Sequence, residues 1–306
     1  MLLARPHEPG IETVNDKDGF VCNAWRSIAF APDETAEWAD WPSMENDLHA
    51  RHTWLKARRE VLVSQLEADP EYYDPQIAGW WLWGMAQWIG GGFCGESGAG
   101  PWVVEGGRLV RGEGDGVKRQ RLHLGNAGQG VSRQMLHLSA GQGVARQMLH
   151  LGERRCVGRL DGGGLRSWFA ALSQRLRRVR VCCGDWSRIC GPSPTEKLGL
   201  TGVFLDPPYS AEEDRDMNLY AEESGTVAHD VRAWCVERGG SPLLRIALCG
   251  YGEVHDELLR HGWSKSEWKA SGGYAKMGNA RGMENRRRER IWWSPACLDE
   301  TQGRLF

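Results

Sequence analysis

Apolar runs bounded by turn residues alternate with helically spaced stretches over much of this chain. Ile11-Glu12-Thr13-Val14-Asn15-Asp16 predicts a strand ending in polar residues, and Phe20, Val21, Ala24, Trp25 and Ile28 then recur at helical spacing. Together they make a βα unit with an acidic tip. Residues 32–89 predict mainly helix, with an amphipathic stretch over 46–66 that Asp69-Pro70 terminates. From Leu165 onward the pattern predicts a helix over 167–178, strands over 179–183 and 202–205, and a helix over 226–238. A strand over 244–249, a helix over 253–261 and a closing antiparallel pair near 263–270 and 290–294 follow. Alternating β and α units that end in an antiparallel pair predict an α/β fold, a Rossmann-like sheet with a reversed edge.

Between these halves the composition changes. Residues 90–164 are Gly-rich and carry a repeat: Arg119-Gln120-Arg121-Leu122-His123-Leu124, Arg133-Gln134-Met135-Leu136-His137-Leu138 and Arg146-Gln147-Met148-Leu149-His150-Leu151. Near-identical wording at such short spacing fits tandem duplication in a tolerant loop better than a stacked repeat unit. The organisation expected is an N-terminal part of the main domain over 1–30, an inserted region over 31–164, and the rest of the main domain over 165–306. Within the insert, Trp80-Trp81-Leu82-Trp83 and Trp88 fit a helix packed on all sides better than a base-stacking platform.

Composition narrows the function classes. The 306 residues are 41% hydrophobic, enough for a real core, and the net charge of −2 carries no global polyanion-binding signature. Nucleic-acid contacts would have to come from clusters such as Arg175-Leu176-Arg177-Arg178 and Arg286-Arg287-Arg288. Nine cysteines without a Cys-x-x-Cys pair predict reduced, buried thiols in a cytoplasmic protein. No apolar stretch reaches membrane-spanning length, and Met1-Leu2-Leu3-Ala4-Arg5-Pro6 is too short for a signal peptide. His49 and His52 share a helix face but lack a third ligand, so no metal site is expected.

The candidate chemistry lies at strand ends. Asp206-Pro207-Pro208-Tyr209 leaves the run Gly202-Val203-Phe204-Leu205 with a carboxylate, a stiff turn and an aromatic ring. Such a tip can grip a flat base bearing an amino group. The carboxylate accepts one amino hydrogen, a carbonyl of the rigid turn accepts the other, and the ring stacks on the base. Asp185 ends the preceding strand in Gly184-Asp185-Trp186, and in an open parallel sheet ligands collect at the carboxyl ends of strands.

The ordered set of Asn15-Asp16-Lys17-Asp18-Gly19, Asn23-Ala24-Trp25-Arg26, Cys183-Gly184-Asp185-Trp186, Asp206-Pro207-Pro208-Tyr209 and Asn285-Arg286-Arg287-Arg288-Glu289-Arg290 resembles the Dam-type (D12 class) adenine-N6 DNA methyltransferases. Its wording is like that of members carried by phages and prophages. The resemblance covers most of the chain outside the Gly-rich region.

It implies a Rossmann-like methyltransferase sheet, S-adenosylmethionine as cofactor and double-stranded DNA as partner, with a restriction endonuclease as a further partner where one exists. It implies Asp206, Pro207, Pro208 and Tyr209 as the catalytic tetrad and Asp16 on the cofactor ribose. Asp185, with Trp186 beside it, falls near the cofactor adenine. Arg286, Arg287 and Arg288 are expected on DNA phosphates, and the insert over 31–164 on the target sequence.

The chain departs from the family ahead of Asp16, where members carry a strand and a Phe-x-Gly-x-Gly loop that cradles the methionine part of the cofactor. Gly90-Gly91-Gly92-Phe93-Cys94-Gly95 is superficially similar, but it follows a helix. Two expectations stand side by side: an enzyme whose reading frame starts upstream, or a decayed remnant that binds nucleic acid without catalysis. Cytosine N4, an RNA base or a protein amide are rival acceptors, although those families more often carry Ser or Asn in place of Asp206.

Overall fold

Strand β1 (Glu12–Asp16) lies parallel to β4 (Val179–Cys183), in a register that sets Asp16 opposite Cys183. The computed structural model describes residues 10–88, 93–95, 102–105, 108–111, 164–208, 226–267 and 288–297. Within it the chain is α/β and divides into two compact units, Met1–Trp186 with Asn218–Glu222, and Ser187–Met217 with Glu223–Phe306.

In the first unit β1 runs into α1 (Gly19–Phe30), whose N-terminus is capped by Asp18 Oδ1 accepting from Phe20 N at 2.8 Å. Then come α2 (Pro32–Ala39), α3 (Glu45–Lys56), α4 (Arg59–Ala68), α5 (Pro75–Gln87), an antiparallel pair β2 (Trp102–Glu105) and β3 (Arg108–Arg111), and α6 (Gly164–Leu176) ahead of β4. The helix predicted over 46–66 is interrupted: α3 ends at Lys56 and α4 begins at Arg59, with Arg58 N turning back to Leu55 O at 3.0 Å. No Gly or Pro marks this break, so packing rather than propensity imposes it.

Helix α1 organises two apolar clusters. Phe20 and Cys22 join Leu55, Leu62, Leu66, Ile77 and Cys183 on one side, while Ile28 and Ala29 join Ala36, Phe169, Leu176 and Val179 on the other. Each large apolar side chain so buried contributes roughly 1.5–3 kcal/mol. Three polar residues of α1, Asn23, Arg26 and Ser27, are buried with them. Asn23 Nδ2 donates to Asp74 O at 2.9 Å and its Oδ1 accepts from Asp74 N at 2.7 Å, while Asp74 Oδ1 caps α5 by accepting from Ile77 N at 2.9 Å. Helices α2 and α5 meet closely at Gly79, where a Cβ would lie 2.4 Å from Trp38 Cβ. Glu12 is buried on β1, and its two carboxylate oxygens accept from Arg175 Nη1 and Nη2 at 2.7 and 2.8 Å. Arg175, the first residue of the basic cluster read as a polyanion contact, therefore fastens α6 to β1.

The second unit holds a sheet in the order β5 (Thr201–Leu205), β6 (Leu244–Tyr251), β8 (Glu289–Trp293), β7 (Ser264–Glu267). β5 and β6 are parallel, while β8 is antiparallel to both β6 and β7. Helix α7 (Val227–Arg238) precedes β6 and buries Ala228, Val231 and Cys235. The helix predicted over 253–261 is instead a 3-10 segment, Asp256–His261, stopped by Gly262 at φ 80°. Trp292 is fully buried: its Nε1 donates to Asp256 Oδ1 at 3.1 Å, and the His255 ring meets it edge-on at 5.1 Å.

Candidate functional site

In the first unit, the carboxyl ends of β1 and β4 bring Asp16, Asp185 and Trp186 to one end of the parallel pair. The ends are cross-tied, with Gly184 N donating to Asp16 O at 2.9 Å and Asn15 Nδ2 donating to Gly184 O at 3.0 Å. Asp16 does not cap α1. Its Oδ1 accepts from Asp18 N at 2.8 Å, an Asx turn that aims the carboxylate at the strand end and leaves capping to Asp18. Asp185 is exposed just after the positive-φ Gly184, and the half-buried Trp186 opens a short 3-10 turn.

Asn23 and Arg26 of α1 serve the fold. Arg26 is 3% exposed and spends its guanidinium on backbone carbonyls of Val181, Leu66, Asp69 and Tyr72. The half-buried Asp16 and the exposed Asp185 thus stand on a frame of buried polar contacts.

In the second unit Asp206 follows β5 and is exposed, Pro207 is buried and Pro208 half-buried. The β5–β6 register pairs Leu205 with Leu248, which puts Asp206 beside Cys249, and the β6–β8 register puts Tyr251 opposite Glu289. Burial pushes the Cys249 thiol up to about 12, and the negative charges of Asp206 and Glu289 add to that rise. Arg288 reaches the same end of the sheet: its guanidinium carbon lies 5.8 Å from the Tyr251 ring centre, and its carbonyl accepts from Gly252 N at 2.7 Å. Cys249, Tyr251 and Glu289 were not singled out in the sequence, because only the strand register brings them to Asp206.

Tyr209, Arg286, Arg287 and the repeats over 119–151 lie outside the described residues. Of the Gly-rich segment over 90–95, Phe93, Cys94 and Gly95 are described, and they belong to the core of the first unit. Phe93 is 4% exposed and packs on His52 and Trp88, in space left by Gly84, where a Cβ would lie 2.1 Å from its ring. Cys94 is fully buried at φ 64° and its carbonyl accepts from Arg59. This is a packing role, and it does not resemble an exposed cofactor loop.

The Trp-rich helix packs as the sequence suggested. Trp83 is buried, Trp80 meets Trp38 and Trp54 edge-on, and the buried Arg51 guanidinium lies within 5.0 Å of the Trp41, Trp80 and Trp83 ring centres. His52 stacks on Trp88 with ring centres 4.8 Å apart, and burial lowers it to about 4, with Lys56 and His49 adding to the shift. Among the described residues no group of three His, Cys, Asp or Glu side chains is arranged to hold a metal ion, and no helix is long and apolar enough to cross a membrane.

No family model matches this chain, and neither a curated protein nor a solved structure matches it.

Proposed function

We propose that the chain is an S-adenosylmethionine-dependent methyltransferase of the Dam type that modifies adenine N6 in double-stranded DNA. The observation that carries this reading is Asp206, exposed at the carboxyl end of the parallel strand β5 and followed by the buried Pro207. A carboxylate ahead of an anchored Pro-Pro turn supplies two acceptors in fixed relation. Asp206 accepts one hydrogen of a flipped base's amino group, and the Pro207 carbonyl accepts the other. Engaging both hydrogens draws the nitrogen lone pair out of conjugation with the ring and turns it toward the methyl donor.

Strand direction in the second unit supports the same reading. Among the described residues β1 pairs only with β4, and β5 pairs only with β6. β8, antiparallel to both β6 and β7, gives the sheet of the second unit a reversed strand next to its edge, which supports the expected reversed closing pair.

The donor set suits the cofactor. An acidic side chain at the end of β1 can accept from a ribose diol, and the turn that engages Asp16 Oδ1 fixes the carboxylate relative to α1. Asp185 and Trp186 supply an acceptor and a flat ring for a purine. When bound, the cofactor supplies a sulfonium-activated methyl group; the chain's own residues position the acceptor nitrogen and stabilise the charge that develops on it. The cluster around Arg288 provides a cation for a phosphate near the acceptor base.

Incubation with labelled S-adenosylmethionine and unmethylated DNA tests the proposal, with an in-frame upstream extension assayed beside the 306-residue chain. Label recovered as N6-methyladenine from either version supports it, and label on cytosine N4 or on RNA reassigns the acceptor. Absence of label with both versions, together with retained DNA binding, favours a non-catalytic nucleic-acid-binding remnant.

A further inference from the structure

We propose that Cys22 and Cys183 form a redox-active dithiol that closes to a disulfide beneath the β1–β4 tip. Cys183 is the last residue of β4, paired with Asp16 in the ladder. Cys22 Sγ approaches from α1 and lies 3.4 Å from both the Asp16 and Cys182 carbonyl oxygens, over the final rung of that ladder. The side chains of Cys182 and Cys183 point to opposite faces of the strand, which leaves Cys183 as the thiol that meets Cys22. Both residues are buried, at 0% and 4% exposure, in the same apolar cluster. α1 is pinned to β4 by Arg26, which holds Cys22 against the strand that carries Cys183.

The pair is chemically asymmetric. The hydrogen bond from Cys22 stabilises the Cys183 thiolate and outweighs burial, which lowers Cys183, while the same bond and burial push Cys22 up. One sulfur is thus the nucleophile and the other keeps its proton until needed.

With a hydroperoxide as oxidant, the Cys183 thiolate attacks one oxygen. The O–O bond breaks, the leaving oxygen departs as water or an alcohol after taking a proton, and Cys183 becomes a sulfenic acid. Cys22 then attacks the Cys183 sulfur, its proton leaves with the departing hydroxide as water, and the S–S bond forms. Two thiols are oxidised and one hydroperoxide is reduced to two hydroxylic products.

The test uses the folded full chain exposed to hydrogen peroxide, then alkylated, digested without reduction and read by mass spectrometry. The expected result is a Cys22 peptide joined to a Cys183 peptide, lighter by two hydrogens than their sum and separated by dithiothreitol. Recovery of both as alkylated free thiols, while the more open Cys182 and Cys297 are oxidised, would overturn the proposal. So would a bond from Cys183 to any other cysteine. Cys22→Ser keeps a donor toward the same carbonyls but removes the resolving sulfur. It should carry Cys183 on to sulfinic acid under the same treatment; an unmodified Cys183 in that variant would also count against the assignment. None of these readouts depends on methyl transfer.

Discussion

Arg26 donates to the Val181 carbonyl oxygen from two nitrogens, Nε at 3.1 Å and Nη2 at 2.8 Å, and so holds helix α1 against strand β4. The same guanidinium reaches Leu66, Asp69 and Tyr72 carbonyls at 3.2, 2.9 and 3.0 Å. A planar fork of five N–H groups can serve carbonyls in several directions at once, whereas an ammonium concentrates its donors at one point. Arg26→Lys should therefore leave buried carbonyls unpaired and cost about 2–4 kcal/mol. Urea denaturation checks this, and a loss below about 1 kcal/mol would show that the carbonyls find other partners.

Asp206→Ala should reduce methyl transfer by roughly a thousandfold or more, because it removes an acceptor that acts on the reacting amino group. Cofactor affinity should stay within about a factor of two, since Asp206 is assigned to the base. Single-turnover transfer and equilibrium binding, measured on one preparation, separate the two. A variant that still turns over normally would remove Asp206 from the mechanism.

For Asp16 the informative change is Asp16→Asn. Asparagine retains a side-chain carbonyl for Asp18 N, so the Asx turn survives, while the charged acceptor for a ribose diol is lost. Affinity for S-adenosylmethionine should weaken by roughly tenfold, equivalent to about 1.4 kcal/mol. Calorimetric titration measures it, and circular dichroism verifies that the fold is kept. Unchanged affinity would remove Asp16 from cofactor binding.

Acid should destabilise both units. His52 in the first unit and His255 in the second are each lowered from 6.5 to about 4, with burial the largest cause in both. Between those values the unfolded chain binds protons that the folded chain refuses. The contribution of the neutral histidines is thus complete above about pH 6.5 and lost as pH falls toward 4, on the order of 3 kcal/mol for each. Unfolding free energies at pH 7 and pH 5 should differ in that direction. His52→Phe keeps a flat ring on Trp88 and should flatten part of the acid limb; an unaltered slope would place the effect elsewhere.

The local elements were readable where sequence periodicity and end signals agree. The spacing of Phe20, Val21, Ala24, Trp25 and Ile28 marked α1, and Val179-Arg180-Val181-Cys182-Cys183 and Gly202-Val203-Phe204-Leu205 marked strands that lead to Asp185 and Asp206. The α3–α4 break was not readable, because Lys56-Ala57-Arg58-Arg59 is helix-favouring and the interruption answers to the burial of Leu55, Leu62 and Leu66 in one cluster. The 3-10 segment before Trp263 was read as a longer helix for a related reason: its pattern is helical, but Trp292 and His255 packing and Gly262 cut it short. Asp16, Asp185 and Asp206 were visible as carboxylates at strand ends, whereas Cys249 came beside Asp206, and Tyr251 opposite Glu289, only through register.

The sequence by itself determined most of the strands and helices, the α3–α4 break and the 3-10 segment apart, and which carboxylates stand at strand ends. Those outcomes depend on side-chain spacing and turn chemistry within a few residues. Only the tertiary structure decided that β1 takes β4 as its partner, that β8 lies between β6 and β7, and that Asn23 and Arg26 of α1 serve the frame. It also decided that Cys22 meets Cys183. The physical reason is distance along the chain. Arg26 and Val181 are 155 residues apart, and no local period encodes which buried donor will face which buried carbonyl once the apolar faces have closed on one another.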